Sequence, residues 1–201
     1  MDLVPVRQMV TVADITLYYM VHVDNIASIQ TYGILPRNRA MKLEHLGRDI
    51  ADADVIHRRG LKRPFGRSLH DYVPLYFNPK NPMLSRRRAI QDEIVILCIN
   101  GKVINEDGVR FTDGNAAASA SRYFSRSSDL SKINWECIRA EYWSEFPDGG
   151  RIRCAEVLVP RPVEFSEIEK IIVRSNETKH RVSNLISLVD KEASIQPRWY
   201  I

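Results

Sequence analysis

The chain has 201 residues, 44% of them hydrophobic and 27% charged, with a formal net charge of +4. That is the composition of one globular domain, residues 1–201, long enough to bury a core. No apolar run reaches the roughly 18–20 residues a membrane span needs, and the first residues lack the charged-then-apolar plan of a secretory signal, so a cytoplasmic protein is expected.

In chain order, residues 15–21 read as a strand from their β-branched and aromatic content. Asp24 or Asn25 is placed to cap a following helix that Gly33 ends in a left-handed conformation, with Ile26 and Ile29 facing inward. Residues 39–46 suggest a short helix. From there to residue 70 the polar, basic, Gly- and Pro-broken sequence reads as a long functional loop. Residues 73–77 form a short strand whose Pro74 predicts an edge position. Residues 93–100 are the best strand, followed by an Asn-Gly turn. Residues 116–124 read as helical after the turn at 111–115, and a further helix is possible around 132–142. Residues 151–159 and 168–173 read as strands, 177–189 as a closing helix, and 199–201 as a possible last strand. Strands outnumber long helices without alternating regularly with them, which predicts an α+β fold rather than a doubly wound parallel sheet.

The common nucleotide-binding and hydrolase signatures are absent. The three cysteines and five histidines show neither C-x-x-C nor H-x-x-x-H pairing, so no metal site is expected and Cys98, Cys137 and Cys154 read as buried thiols. Arg58, Arg59, Lys62, Arg63 and Arg67 crowd one segment and Arg86–Arg88 another. These clusters suit phosphate contacts or simply a solvated basic face. Glu156 lies in an apolar strand, where a carboxylate is costly unless paired. On pattern alone the commoner case is a glutamate on the solvent face, and the functional case is one aimed into a cleft for acid–base work. His22 at a strand end is either satisfied by backbone or holds a ligand. Tyr76 and Phe77 are core aromatics or a stacking platform for a flat ring.

The segments "HVDNIASIQTYGIL", "LHDYVPLYFNPKNPML", "DEIVILCI", "FTDGNA" and "CAEVLV" occur in this order between about residues 18 and 160. Together they resemble the DarT family, the DNA ADP-ribosyltransferase toxins of DarTG toxin–antitoxin systems. The resemblance implies the ADP-ribosyltransferase fold, with split mixed and antiparallel sheets forming an NAD cleft flanked by short helices. It implies transfer of ADP-ribose from NAD to a base, thymine in the better-matching branch, in single-stranded DNA. It also implies a DarG-type macrodomain antitoxin as partner. By the same resemblance Glu156 is the catalytic glutamate and Arg59 the catalytic arginine, with Arg58 as competitor across a loop of variable length. His22, Asn25, Gly33, Tyr76, Phe77 and Met83 are the implied NAD-binding residues, and residues 112–150 the region that meets DNA. Competing readings are transfer to guanine or protein, and a single-strand nucleic-acid-binding module without catalysis.

Overall fold

The computed structural model describes residues 10–45, 47–186 and 191–201. In chain order the elements are β1 (Thr16–His22), α1 (Ile26–Tyr32), α2 (Arg37–Lys42), α3 (Ala53–Leu61), β2 (Val73–Tyr76), α4 (Pro82–Ser85), β3 (Ile94–Asn100), β4 (Arg110–Thr112), β5 (Tyr123–Phe124), α5 (Trp135–Arg139), α6 (Gly149–Arg153), β6 (Glu156–Val159), β7 (Ile168–Val173), α7 (Asn176–Leu185) and β8 (Ala193–Ile195). This is the expected α+β class, with short helices around one sheet.

The eight strands run in the order β5-β4-β6-β2-β1-β3-β7-β8. Every pairing is antiparallel except β7 with β8. β1 and β3 pair along their whole length, and β2 pairs with β6 from Val73 to Tyr76. Between β1 and β2, however, the register holds a single pair, Tyr18 with Tyr76. The sheet is therefore two half-sheets hinged at one residue pair, and the seam beside it opens into the molecule's clefts.

β3 shows why the joined half is stable. Val95, Leu97 and Ile99 enter the main core with Leu17 and Val21 of β1, while Ile94, Ile96 and Cys98 pack on the opposite face with Met20, Ile172 and Tyr200. A strand buried on both faces needs an unbroken apolar run, which is what residues 94–99 supply. On β6 the same two-residue alternation sends Val157 and Val159 into the main core and turns Glu156 and Leu158 to the other face.

Differences from the sequence reading have identifiable causes. Residues 53–61 form a helix inside the expected loop, capped by the Asp52 side chain, which accepts from the Asp54 amide at 3.0 Å. The segment is short and polar overall and none of its residues is fully buried, so its face of Val55, Ile56 and Arg59 is hard to separate from a basic loop by pattern. Pro74 sits in a strand that is internal rather than at an edge. Only Tyr76 at the end of β2 pairs with β1, so beside Pro74 the strand still behaves as an edge. Residues 116–122 form turns, not helix, and end in β5. Residues 149–153 are helical before β6 begins at Glu156, so Cys154 lies in a turn, though all three thiols are free and buried as expected. The last strand is β8, whereas Pro197–Trp199 is a 3₁₀ turn. The closing helix ends at Leu185 and the last part of its expected span, 187–189, lies outside the described residues.

Arg153 is 1% exposed and, among the described residues, forms no ion pair. Its guanidinium donates to four carbonyls instead, those of Lys80 (2.6 Å), Cys137 (2.8 Å), Ile138 (2.6 Å) and Ala140 (2.8 Å). It thereby ties α6 to α5 and to the turn before α4. Arg153→Ala is expected to leave four carbonyls, two of them in fully buried hydrogen bonds, without this donor and to lower unfolding free energy by about 3–5 kcal/mol, measurable by urea denaturation. Lys cannot span the same acceptors, so Arg153→Lys is expected to recover less than half of the loss.

Candidate active site

Glu156 is the first residue of β6, opposite Tyr76 of β2, which in turn is the residue joined to Tyr18 of β1. The seam between the half-sheets thus ends on a carboxylate that is 1% exposed. Such a group requires compensation. Arg59 provides it, donating from Nη1 to both carboxylate oxygens at 2.9 and 3.0 Å, and the Ala116 amide donates to Oε1 at 2.8 Å. The Glu156 amide itself donates to the Thr112 hydroxyl at 3.2 Å, and that hydroxyl donates on to the Gly114 carbonyl at 2.6 Å. The glutamate is held by α3 on one side and by the turn after β4 on the other.

Arg59 reaches Glu156 because α3 is anchored at its end. The Ser68 hydroxyl donates to the Gly60 carbonyl at 3.3 Å, and the Leu69 amide donates to the Lys62 carbonyl at 3.1 Å. Burial works to lower the Arg59 pKa, but Glu156 outweighs it and the guanidinium is held above its usual range. Among the described residues its Nη2, which is buried, has no hydrogen-bond partner. Arg58, one residue earlier, is exposed and makes no contact with Glu156. Burial, and then the neighbouring Glu156 charge, push the Tyr76 phenol well above its ordinary value.

Two clefts flank this pair. The first, about 970 Å³, is lined by Tyr19, Asn25, Gly33, Arg59 and His70 among others. The second, about 1020 Å³, is lined by Tyr76, Met83, Arg58, Arg86, Asn115 and Arg151 among others. His70 Nε2, like Arg59 Nη2, is buried without a partner, so the first cleft presents polar atoms still to be satisfied. Burial, followed by Arg37 and Arg59, lowers the His70 pKa. Among the described residues no group of three His, Cys, Asp or Glu side chains is placed to hold a metal.

The residues singled out from sequence are only partly brought together. Glu156 and Arg59 touch, Asn25 and Gly33 line the first cleft, and Tyr76 and Met83 line the second. Gly33 has φ +72°, and a Cβ there would lie 2.6 Å from the Val163 carbonyl, so no other residue fits. Asn25 does not cap α1; its side chain both donates to and accepts from the Arg48 backbone at 2.8 Å, pinning the cleft's outer loop. His22 and Phe77 line neither cleft. The His22 ring is fully buried, with Nε2 2.7 Å from the Glu93 carboxylate and Nδ1 accepting from the Asp24 amide at 3.2 Å. Phe77 packs edge-on against Phe111 and Trp135 in the core. From β1 it is Tyr19 that reaches the first cleft, its phenol raised to about 12 chiefly by burial.

The family model described as "ssDNA thymidine ADP-ribosyltransferase, DarT" matches residues 18–201. The chain belongs to the DarT family. Among DarT relatives, the DNA ADP-ribosyl transferase of Thermus sp. (strain 2.9) is 29% identical over 92% of this chain and 95% of its own length. The DNA ADP-ribosyl transferase–DNA ADP-ribosyl glycohydrolase fusion protein of Thermosipho africanus is 30% identical over 85% of this chain, which spans 45% of the fusion. The structure of Thermus sp. 2.9 DarT in complex with ADP-ribosylated ssDNA superposes with a TM-score of 0.82 at 28% identity, covering 92% of this chain and 96% of that one. The same protein in complex with NAD+ gives 0.78 at 26% identity, covering 92% and 97%.

Sequence reading overlooked the group that shapes the turn beneath Glu156. Asp113 accepts from the Arg122 amide (2.9 Å), from Arg122 Nε (2.7 Å) and from Arg151 Nη1 (3.2 Å). These bonds close the turn that presents the Ala116 amide. A Cβ at Gly114 would lie 2.2 Å from Arg151 Nη1, so a larger residue there displaces the guanidinium from Asp113. The only sequence signal was the Asp-Gly pair in "FTDGNA". Burial works to raise the Asp113 pKa, and the Arg122 hydrogen bonds with Arg151 outweigh it, so the carboxyl sits below the usual range. Its contribution to the turn is therefore complete above about pH 4 and is lost as pH falls through the depressed value. NMR shifts of the 113–122 amides are expected to hold their neutral-pH positions down to about pH 4 and to move only below it. Asp113→Asn is expected to keep the fold and reduce turnover by roughly 10- to 100-fold, read by nicotinamide release.

Proposed function

We propose that Glu156 and Arg59 are the groups with which this DarT-family enzyme moves ADP-ribose from NAD to thymine in single-stranded DNA. The observation that carries the assignment is the buried Glu156 carboxylate, gripped by Arg59 and the Ala116 amide where the two half-sheets part. Departure of nicotinamide leaves positive charge on the ribose. A fixed carboxylate stabilises that charge more in the transition state than in the ground state. As thymine N3 bonds to the ribose carbon, the bond to nicotinamide breaks and the N3 proton passes to Glu156. Arg59 holds the carboxylate in place, and its free Nη2 is available to an anionic oxygen or to the thymine carbonyl as negative charge develops.

NAD is read as spanning the seam. Its nicotinamide end lies toward Tyr76 and Met83, and its adenosine end lies in the first cleft, where Asn25 holds the wall and Tyr19 and His70 face the ligand. His22 then acts at a distance, fixing the corner from which α1 starts. The thymine arrives from the side of the 113–122 turn. A single-stranded substrate follows because N3 is engaged in a duplex and unpairing costs a few kcal/mol, roughly.

The Thermosipho relative joins a DNA ADP-ribosyl transferase to a DNA ADP-ribosyl glycohydrolase in one chain, and this chain spans 45% of it. A separate DarG-type macrodomain antitoxin that removes the modification is the corresponding partner here. No helix among the described residues is long and apolar enough to cross a membrane. A cytoplasmic site of action is supported by the three free, buried thiols and the DNA substrate.

Glu156→Gln is expected to lower nicotinamide release and oligonucleotide modification by on the order of 100- to 1,000-fold, with mass spectrometry reading the ADP-ribose adduct. Arg59→Ala is expected to approach that loss, whereas Arg58→Ala stays within about twofold of wild type. Retained modification by Glu156→Gln, or the reverse order of the two arginine variants, removes the assignment. An adduct found on guanine or on protein instead of thymine redirects it to another acceptor.

A further inference from the structure

Phe65 lies outside both clefts and outside the core. It is 53% exposed, in the middle of the basic segment that holds Lys62, Arg63 and Arg67. Its backbone has φ 59° and ψ 27°, the left-handed region that a bulky L-residue normally avoids. Gly66 follows with φ +77° and open space around its Cβ position. A turn of this shape accepts Gly or Asn at lower cost, and burial does not explain an aromatic ring here. Backbone strain of this kind clusters where a ligand is met.

The surroundings specify the ligand. The Arg110 guanidinium lies over the Phe65 ring, 5.0 Å from its centroid. Tyr123 meets the ring edge-on with centroids 5.8 Å apart. The Tyr123 hydroxyl donates to the Ala116 carbonyl at 2.5 Å, and the Ala116 amide donates to Glu156. An exposed aromatic surface is thus coupled through one side chain to the backbone that holds the catalytic carboxylate. Arg63 and Arg67 beside it are exposed, and among the described residues neither they nor Arg110 form an ion pair. Arg110 Nε is also buried without a partner. Arg110 also donates to the Val109 carbonyl at 2.8 Å and Arg67 lies over the Tyr72 ring, so these guanidinium groups are held in place without a carboxylate. A flat apolar surface flanked by them suits a single-stranded nucleic acid, with a base on the open face of the ring and phosphates on the arginines.

We propose that Phe65 is a stacking step for the base next to the modified thymine, with Arg63, Arg67 and Arg110 holding the flanking phosphates. The proposal rests on the DNA-transferase reading above and adds how the strand is positioned for it. The rival occupant is the adenine of NAD. The outer location of the ring, beside the 113–122 turn rather than in the first cleft, favours DNA.

The test varies oligonucleotide and NAD separately in steady-state transfer assays with wild type, Phe65→Gly and Phe65→Trp. Phe65→Gly relieves the left-handed strain, so its urea midpoint is expected to equal or exceed wild type, separating binding from folding. Its KM for the oligonucleotide is expected to rise about tenfold, with the rise absent from KM for NAD, and Phe65→Trp is expected to restore the wild-type value. An oligonucleotide with an abasic residue beside the thymine is expected to lose the same factor with wild type and nothing more with Phe65→Gly. An unchanged oligonucleotide KM in Phe65→Gly, or a rise in KM for NAD instead, overturns the proposal while leaving the transferase reading intact. No adduct with wild type at any oligonucleotide concentration overturns that reading itself, and the proposal with it.

Discussion

The contact between Arg59 and Glu156 is the constraint around which the molecule is arranged. A carboxylate buried at the end of a sheet strand is unfavourable by several kcal/mol, roughly, unless charge and hydrogen bonds replace its water. Here the replacement comes from a helix almost a hundred residues earlier and from a turn forty residues earlier. Neither α3 nor the 113–122 turn has a large apolar surface of its own, so Glu156 helps to order both. Each is braced independently, α3 by Ser68 and Leu69 and the turn by Asp113. The result is a carboxylate whose position depends on polar contacts on every side.

The single Tyr18–Tyr76 join makes room for this arrangement. Were β1 and β2 paired along their length, the strands would close the seam that now opens beside Glu156. The half-sheets instead stay together through the core that lies across both, with Leu17 and Val21 on one side and Leu75 and Val157 on the other. Packing holds the halves, and the lack of ladder hydrogen bonds leaves the gap. Arg153 repeats the logic on a smaller scale, as a buried charge satisfied by backbone carbonyls whose alignment it enforces.

Both clefts that flank the Arg59–Glu156 pair are lined by guanidinium groups. Arg37, Arg48 and Arg59, with Asp49, line the first alongside Tyr19, Asn25 and His70. Arg58, Arg86, Arg87 and Arg151 make the second strongly basic. Consecutive residues of α3 serve both, since Arg59 turns inward to Glu156 while Arg58 remains exposed. A one-residue shift on a helix rotates a side chain by about 100°, which is enough to exchange those roles.

Local pattern was sufficient for β1, β3 and β7, for the buried cysteines and for the α+β class, because those features follow from apolar runs and turn residues close in the chain. The family was legible too, since its short motifs keep their order and contexts. What pattern could not supply were elements stabilised from elsewhere. α3 is short, polar overall and fully buries no residue, so its face toward the protein is hard to tell from a basic loop. The 116–122 segment looks helical by composition, yet Asp113, Arg122 and Arg151 bend it into turns. His22 and Tyr19 lie on one strand, and only the alternation of faces together with Glu93 and Asp24 decided which ring meets the cleft and which is consumed by the protein. The sequence by itself determined which residues were able to carry charge, stack or pack. The tertiary structure decided which of them meet, because burial of a carboxylate is settled by partners from distant segments that no local window contains.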